Sequence, residues 1–418
     1  MDHITGLTCL ICGATHGPDE VEYVCPEHGN EGILDVGYDY DLIGSRISTQ
    51  SLADNRDLSI WRYRPLLPVE PEAPVPPLAI GWTPLYPAPG PAADLGLAHL
   101  WIKDDSRMPT ASFKDRASAI AVVRAAAQGA EVITTASTGN AAAALAGICA
   151  SVGRKNVIFV PDSAPRAKIA QLLVYNATVV LVRGSYDAAF ELCLEAAKAY
   201  GWYNRNTGYN PYMSEGKKTA AFEICEQLGW QAPDAVVVSV GDGCIIGGLH
   251  KGFRDLLALG WIDRMPRLLG VQAHGSAFLY QAWRDNEDVL GKGPVGTTTI
   301  ADSISAGLPR DRLKAMAAVR ESGGAFIRVD DDEILAAIPR MAKCTGVFGE
   351  PAGAAAWAGL ERAADDGLIA RDERIVVVNT GSGLKDIDAT MQAVQTAGVR
   401  PFHINADMDI VRQIFSAS

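Results

Sequence analysis

The chain is short of positive charge and of aromatic side chains. Lys and Arg total 37 against 49 Asp and Glu, a formal charge of −12, and aromatics make up 7%. A surplus of acid argues against sequence-independent binding of nucleic acid, which needs a basic footprint, and against docking on an anionic membrane. No apolar run approaches the roughly 20 residues of a membrane span. The opening MDHITGLTCLICG lacks a basic region followed by a sustained apolar core, so no secretory signal is expected. Internal repeats and low-complexity tails are absent. What is present is ordinary globular composition, 48% hydrophobic and 21% charged. At 418 residues the chain has length for two or three domains and a large core.

Five of the eight cysteines (Cys149, Cys193, Cys225, Cys244, Cys344) are scattered, as small buried hydrophobes are. That usage suits a reducing cytoplasm. The other three cluster with a histidine as C-x2-C-x12-C-x2-H: Cys9, Cys12, Cys25 and His28. Gly13 and Gly29 follow each pair, where a tight turn needs a positive φ. Three thiolates and one imidazole make a closed, structural zinc site with no open position for water. A ribbon that has lost its metal or pairs its thiols is the alternative. A rubredoxin-like iron site fits less well, because His replaces one thiolate.

The stretch RPLLPVEPEAPVPPLAIGWTPLYPAPGPAA, with its many prolines, admits neither a long helix nor a central strand and reads as an extended surface connector. From about residue 98 the chain alternates. Strand-like runs are AHLWIK, EVITTAS, NVIFV, TVVLV, AVVVSV, RLLGVQA, AFIRV and RIVVVNT. Helix-like runs lie between them, several ending in Gly. Continuously apolar strands separated by helices predict parallel sheets covered on both faces, a doubly wound α/β fold. Ligands then bind beyond the carboxyl ends of the strands.

Four loops could carry chemistry. PTASFKDRAS places Lys114 after Phe113 and before an alanine-rich amphipathic run. In SVGDGCIIGG the glycines Gly241 and Gly243 free the backbone of residues 241–245 (Gly241, Asp242, Gly243, Cys244, Ile245) to converge on one phosphate at a helix start. A dinucleotide fingerprint is broken there, since Ile246 takes the third glycine position. In ASTGNAAAA, Ser137, Thr138 and Asn140 either cap a helix or hold a carboxylate at its positive end. In VVNTGSGLKD, Thr380 ends a strand and presents a hydroxyl. A lysine, an anion cup, a carboxylate site and a strand-end hydroxyl together are the parts that hold pyridoxal phosphate and an amino acid.

These motifs resemble those of the threonine synthase family of fold-type-II pyridoxal-phosphate enzymes, over nearly the whole chain. PTASFKDRA resembles P-T-G-S-F-K-D-R-G, ASTGNAA resembles S-S-G-N-T, GDGCI lies where G-N-A-G-N lies, NTGSGLKD resembles T-G-H-G-L-K-D, and NPYMSEGKKTAAFEI resembles N-P-x-R-x-E-G-x-K-T. The resemblance implies a tryptophan synthase β-like fold of two doubly wound domains behind a zinc-ribbon-like segment. It divides the chain into 1–40 (ribbon), 41–120 (linker and first part of the large domain), 121–205 (a small mobile domain) and 206–418 (the remainder of the large domain). It makes Lys114 the Schiff-base lysine and proton shuttle, and sets Asn140 against the ring hydroxyl. Thr380 meets the pyridine nitrogen, and Ser137, Thr138 and Asn140 hold the substrate carboxylate. It also implies a homodimer.

The departures surround the substrate tail. Where the family binds the phosphate of O-phosphohomoserine through an Asn-Ser pair and an Arg, this chain has Thr207, Gly208 and Met213, and Met108 replaces another Asn. Methionine cannot replace a guanidinium at a phosphate, unless Arg205 or Lys217 compensates from nearby. The leading expectation is therefore a pyridoxal-phosphate lyase performing β- or γ-elimination or replacement on an amino acid with an altered tail. True threonine synthase is the alternative within enzymes, and a non-catalytic regulator on the same fold is the alternative of another class.

Overall fold

In the computed structural model, which describes residues 1–416 apart from 138, 163, 165 and 185, each of the eight strand-like runs forms a strand. Six strands form one sheet in the order Ala325–Val329, Arg267–Ala273, Ala235–Ser239, Arg374–Asn379, His99–Asp104, Leu85–Pro87. The first five are parallel and the last is an antiparallel edge. A second, all-parallel sheet runs Thr178–Val182, Lys155–Pro161, Val132–Ala136, Tyr203–Asn204. A third, antiparallel, contains Thr15–His16, Ile4–Cys9 and Leu34–Tyr38.

Both faces of the larger sheet are buried, and alternation along single strands shows it. Val236 and Val238 enter one core with Val376 and Val378, while Ala235 and Val237 enter another with Ile375 and Val377. Side chains two apart share a face, so one strand feeds two cores. Helix Cys244–Ala258 brings Ile246, Leu249 and Phe253 to the first core; helix Pro351–Asp365 brings Ala354, Ala358 and Leu360 to the second. The fold is the doubly wound α/β class. Among the described residues no helix is long and apolar enough to cross a membrane.

The connector departs from expectation. Leu66, Leu67, Val69 and Ile80 are buried in the main core, and Leu85–Pro87 joins the sheet. Proline removes ladder donors but not the apolar side chains beside it, so the segment is threaded inward and pairs only at an edge. Cys344 is exposed, while Cys149, Cys193, Cys225 and Cys244 are buried.

The helix Lys114–Ala127 departs too. It is buried from Asp115 through Ala125 rather than amphipathic. Its polar side chains find partners inside. Arg116, fully buried, forks onto Asp105 (Nε to Oδ2 2.7 Å, Nη2 to Oδ1 2.9 Å) and onto Glu223 (Nη2 to Oε2 2.8 Å). Lys103 adds a bond to Glu223 at 2.6 Å. Asp105 follows strand His99–Asp104 and Glu223 lies on helix Thr219–Gln227, so one guanidinium ties three elements together.

Removing it would leave Asp105 without its buried cation. Arg116→Met is expected to lower stability by about 3–5 kcal/mol, read as a reduced urea midpoint. Arg116→Lys should recover little of that, because an ammonium cannot fork.

Candidate active site

The parallel order puts four loops on one edge. Lys114 lies beyond strand His99–Asp104, Thr380 directly follows Arg374–Asn379, Gly241 follows Ala235–Ser239, and Ser137 follows Val132–Ala136. Because Arg374–Asn379 lies between the other two large-sheet strands, Thr380 sits between the lysine loop and the glycine loop. Backbone bonds zip this edge. Phe113 N–H donates to Thr380 O at 2.9 Å, Ser382 N–H to Ala111 O at 3.1 Å, and Glu350 N–H to Gly381 O at 3.0 Å. Asp115 accepts from Thr110 N–H at 2.7 Å and from its hydroxyl, closing the turn ahead of Lys114. Burial raises the Asp115 carboxyl to about 6. Phe113 is fully buried, with the Arg116 guanidinium 5.3 Å from its ring centre.

Lys114 is half-buried, and no carboxylate pairs with its amine among the described residues. Desolvation lowers its proton affinity; the nearby Glu350 and Asp242 offset this in part, and Arg205 adds to it. Glu350 was not anticipated. It is buried, its carboxyl is pushed up by desolvation, and it accepts from Asn140 Nδ2 at 2.6 Å. That bond sets which way the Asn140 amide faces. In the sequence, Glu-Pro reads as an ordinary helix start; yet the Glu350 side chain does not cap helix Pro351–Asp365, and only the fold shows what it does instead.

The glycine loop has the form of an anion cradle. Gly243 has φ +93°, and a Cβ there would lie 2.7 Å from Ala315 Cβ and 2.9 Å from Asp311 O. A Cβ on Gly241 would lie 2.8 Å from Ile304 Cα. No side chain caps helix Cys244–Ala258, so its first N–H groups are available to a ligand. Asp242 is held aside by Arg310 N–H at 3.2 Å. Cys244 and Ile245 are buried, and desolvation raises the Cys244 thiol. Thr380 is buried, and its hydroxyl has no hydrogen-bond partner among the described residues. Helix Asn140–Ser151 likewise starts at Gly139 without a side-chain cap; Ser137 Oγ accepts from Gly139 N–H at 3.2 Å. An amine, an uncapped glycine cradle, an oriented amide and an unpartnered hydroxyl fit pyridoxal phosphate.

Of the tail residues, Thr207 accepts from Arg205 Nη1 at 3.1 Å and from Lys217 Nζ at 3.2 Å. Met213 and Met108 are packed in the main core, and the Met108 sulfur accepts from Gly81 N–H at 3.2 Å. Thr138 lies outside the described residues. At the other end of the chain, the ligand atoms of Cys9, Cys12, Cys25 and His28 all lie within 4.8 Å of one another. Cys12 Sγ is 4.0 Å from Cys25 Sγ, and His28 Nδ1 is 3.6 Å from Cys25 Sγ. Tetrahedral zinc, with bonds of about 2.3 Å to sulfur and 2.0–2.1 Å to nitrogen, needs spacings close to these. Gly13 and Gly29 have φ +75° and +52°.

Residues 77–381 match the family of pyridoxal-phosphate dependent enzymes. The chain is 40% identical over 409 residues to a protein named threonine synthase from Methanocaldococcus jannaschii, covering 97% of this chain and 98% of that one. A threonine synthase from Methanosarcina acetivorans is 38% identical with the same coverage. The chain belongs to the threonine synthase family. Membership makes it a pyridoxal-phosphate-dependent lyase. Among solved structures, threonine deaminase isoform 2 from Solanum lycopersicum superposes with a TM-score of 0.65 at 23% identity, covering 76% of this chain and 88% of that one. Diaminopropionate ammonia lyase from Escherichia coli gives 0.64 at 18%, with 75% and 88% covered. At such identities these two share the fold.

One position in the family's lysine motif carries backbone strain here. Ala111, where the motif has Gly, sits at φ +63°. A Cβ in that region costs roughly 1–2 kcal/mol, part of which glycine's greater chain entropy offsets. Ala111→Gly is expected to stabilise the protein by about 1 kcal/mol, visible as a raised denaturant midpoint.

Proposed function

We propose that the chain converts O-phosphohomoserine and water into threonine and phosphate. The observation that carries this reading is the end-to-end likeness, ribbon included, to relatives of that name. It favours the family's own substrate over the altered-tail expectation. A non-catalytic regulator would have no use for an amine with lowered proton affinity beside an uncapped anion cradle.

Bound pyridoxal phosphate would supply an aldehyde for the amine and a sink for the electron pair left when Cα loses its proton. In this reading Lys114 holds the cofactor, then takes and returns protons at the substrate carbons. The N–H groups of 241–245 hold the cofactor phosphate, and Asn140, steadied by Glu350, faces the ring hydroxyl. The neutral Thr380 hydroxyl meets the ring nitrogen without keeping it protonated, which suits elimination and replacement better than transamination. Ser137 and Thr138 receive the substrate carboxylate at the uncapped helix start. Cα and Cβ each give up a proton, the Cγ–O bond breaks to release phosphate, a proton is added at Cγ, the water oxygen bonds to Cβ while the water's spare proton leaves with the phosphate, and Cα is reprotonated. Residues 121–205 close over the site and exclude water; Lys168, paired with Asp302, ties that segment to the loop opposite. The cysteine–histidine cluster holds one structural zinc, and the protein works as a cytoplasmic homodimer.

The holoenzyme incubated with O-phosphohomoserine should form threonine, measured by chromatography. Lys114→Ala should lose the bound cofactor's visible absorbance and at least about 10³-fold in rate. A pigmented wild type that makes no threonine, or an active Lys114→Ala, would overturn the reading. Elemental analysis should find one zinc per chain. Cys25→Ser should lose that metal and unfold at lower denaturant; a metal-free but equally stable wild type would remove the zinc.

A further inference from the structure

The glycine loop is backed by one short stretch, residues 309–312. Asp311 N–H donates to Asp242 O at 2.9 Å, and Asp311 O and Ala315 stand against Gly243 where a Cβ would go. Helix Arg312–Glu321 starts from this wall, and its first turn is held from outside by the segment that carries the clustered cysteines. Arg312 is buried; its guanidinium donates to Val289 O at 2.9 Å through Nε, to Pro309 O at 3.1 Å through Nη1 and to the Glu31 carboxylate through Nη2. Two residues on, Lys314 Nζ lies 3.9 Å from Asp35 of strand Leu34–Tyr38. Glu31 itself belongs to the turn Gly29–Glu31, which directly follows His28. Gly29 N–H donates to Cys25 O at 2.9 Å, and Cys25 N–H donates to Gly32 O at 2.9 Å. A Cβ on Gly32 would lie 2.7 Å from the Cβ atoms of both Cys25 and His28. Whatever fixes Cys25 and His28 therefore fixes Glu31.

We propose that Glu31 and Arg312 are positioning residues for the cofactor's phosphate, and that a metal held by Cys9, Cys12, Cys25 and His28 tightens pyridoxal-phosphate binding through them. The proposal rests on the reading of residues 241–245 as the phosphate cradle. Backbone N–H donors hold an anion only while they are aimed at it, because a hydrogen bond weakens steeply as its angle opens. A glycine turn has no side chains to fix its own aim, so the aim comes from the chain packed behind it. Arg312 fixes that chain by turning back onto Pro309 O, and Glu31 supplies the charge that a buried guanidinium needs. With Glu31 displaced, Arg312 is left with carbonyl oxygens alone, and residues 309–312 gain by moving toward water. A metal that locks the Cys25–His28 turn therefore favours the arrangement that the cofactor's phosphate also favours. Two sites that prefer one arrangement strengthen each other reciprocally. Neither Glu31 nor Arg312 touches the cofactor in this scheme; both act through residues 309–311.

The test compares full-length wild type, Glu31→Gln and Gly243→Ala, each stripped of cofactor and titrated with pyridoxal phosphate and, separately, with pyridoxal, which has the aldehyde but no phosphate. Binding is read from visible absorbance, and zinc content is measured on the same samples. Glu31→Gln, a change at a partly exposed side chain, should keep the zinc and weaken pyridoxal phosphate roughly five- to tenfold. Its affinity for pyridoxal should hold, and the phosphorus NMR signal of the bound cofactor should move. Wild type treated with a zinc chelator should weaken to the same degree, and chelation should add little to Glu31→Gln. Equal loss of pyridoxal and pyridoxal phosphate would mean a general slackening of the site and would overturn the proposal. A cofactor affinity that ignores chelation would overturn the link to the metal. Gly243→Ala separates the brace from the cradle. If it weakens pyridoxal phosphate while Glu31→Gln does not, the cradle stands and the brace falls; if both bind as wild type does, the cradle reading falls with it.

Discussion

The forked contact of Arg116 with Asp105 and Glu223 is the constraint on which the site's geometry depends. Arg116 stands two residues after Lys114 on the same helix, so wherever the guanidinium is pinned, the amine follows. Asp105 brings the end of strand His99–Asp104 to it, and Glu223 brings the helix Thr219–Gln227. A buried ion cluster adds little net stability over a well-packed apolar one. Its geometry is another matter: planar groups meeting edge to edge tolerate few arrangements. A site that must hold one amine at one place gains from such intolerance.

Around that anchor the edge of the sheet is held mainly by backbone. The bonds between residues 111–113, 349–350 and 380–382 leave the side chains of Lys114 and Thr380 unneeded for structure. Close approach requires small residues. A Cβ on Gly381 would lie 2.4 Å from Glu350 Oε1, and one on Gly216 would lie 2.2 Å from Arg116 O. The glycines therefore bring the lysine helix, the Glu350 turn and the strand end into contact.

The interior is charged unevenly. Acids and bases that serve the fold are paired at 2.5–2.9 Å, as Lys218, Lys251 and Arg116 are. The groups facing the strand ends are left with their charges unbalanced: Lys114 and Lys217 are pushed down, Glu350 and Cys244 up. Desolvation heads the causes in each case. Perturbation of that kind collects where a ligand completes the electrostatics.

Local chemistry determined much of this in advance. Eight apolar runs became eight of the parallel strands, because a strand buried on both faces has to be apolar throughout. The spacing of Cys9, Cys12, Cys25 and His28 foreshadowed a cluster, since ligands three apart on tight turns converge whatever follows them. Lys114 and the glycine loop could be located because strand ends mark where ligands reach a parallel sheet. Three things stayed hidden. Nothing in the prolines told that Leu66 and Ile80 would be core, nothing in Glu-Pro told that Glu350 would orient Asn140, and nothing in Lys-Lys told which lysine would be neutralised. The Glu350–Asn140 bond joins residues 210 apart, and Lys218 needs Asp255 of a different helix as well as the nearby Glu215. Periodicity and turn chemistry act between neighbours along the chain, whereas pairing of buried charge is decided only when distant segments meet.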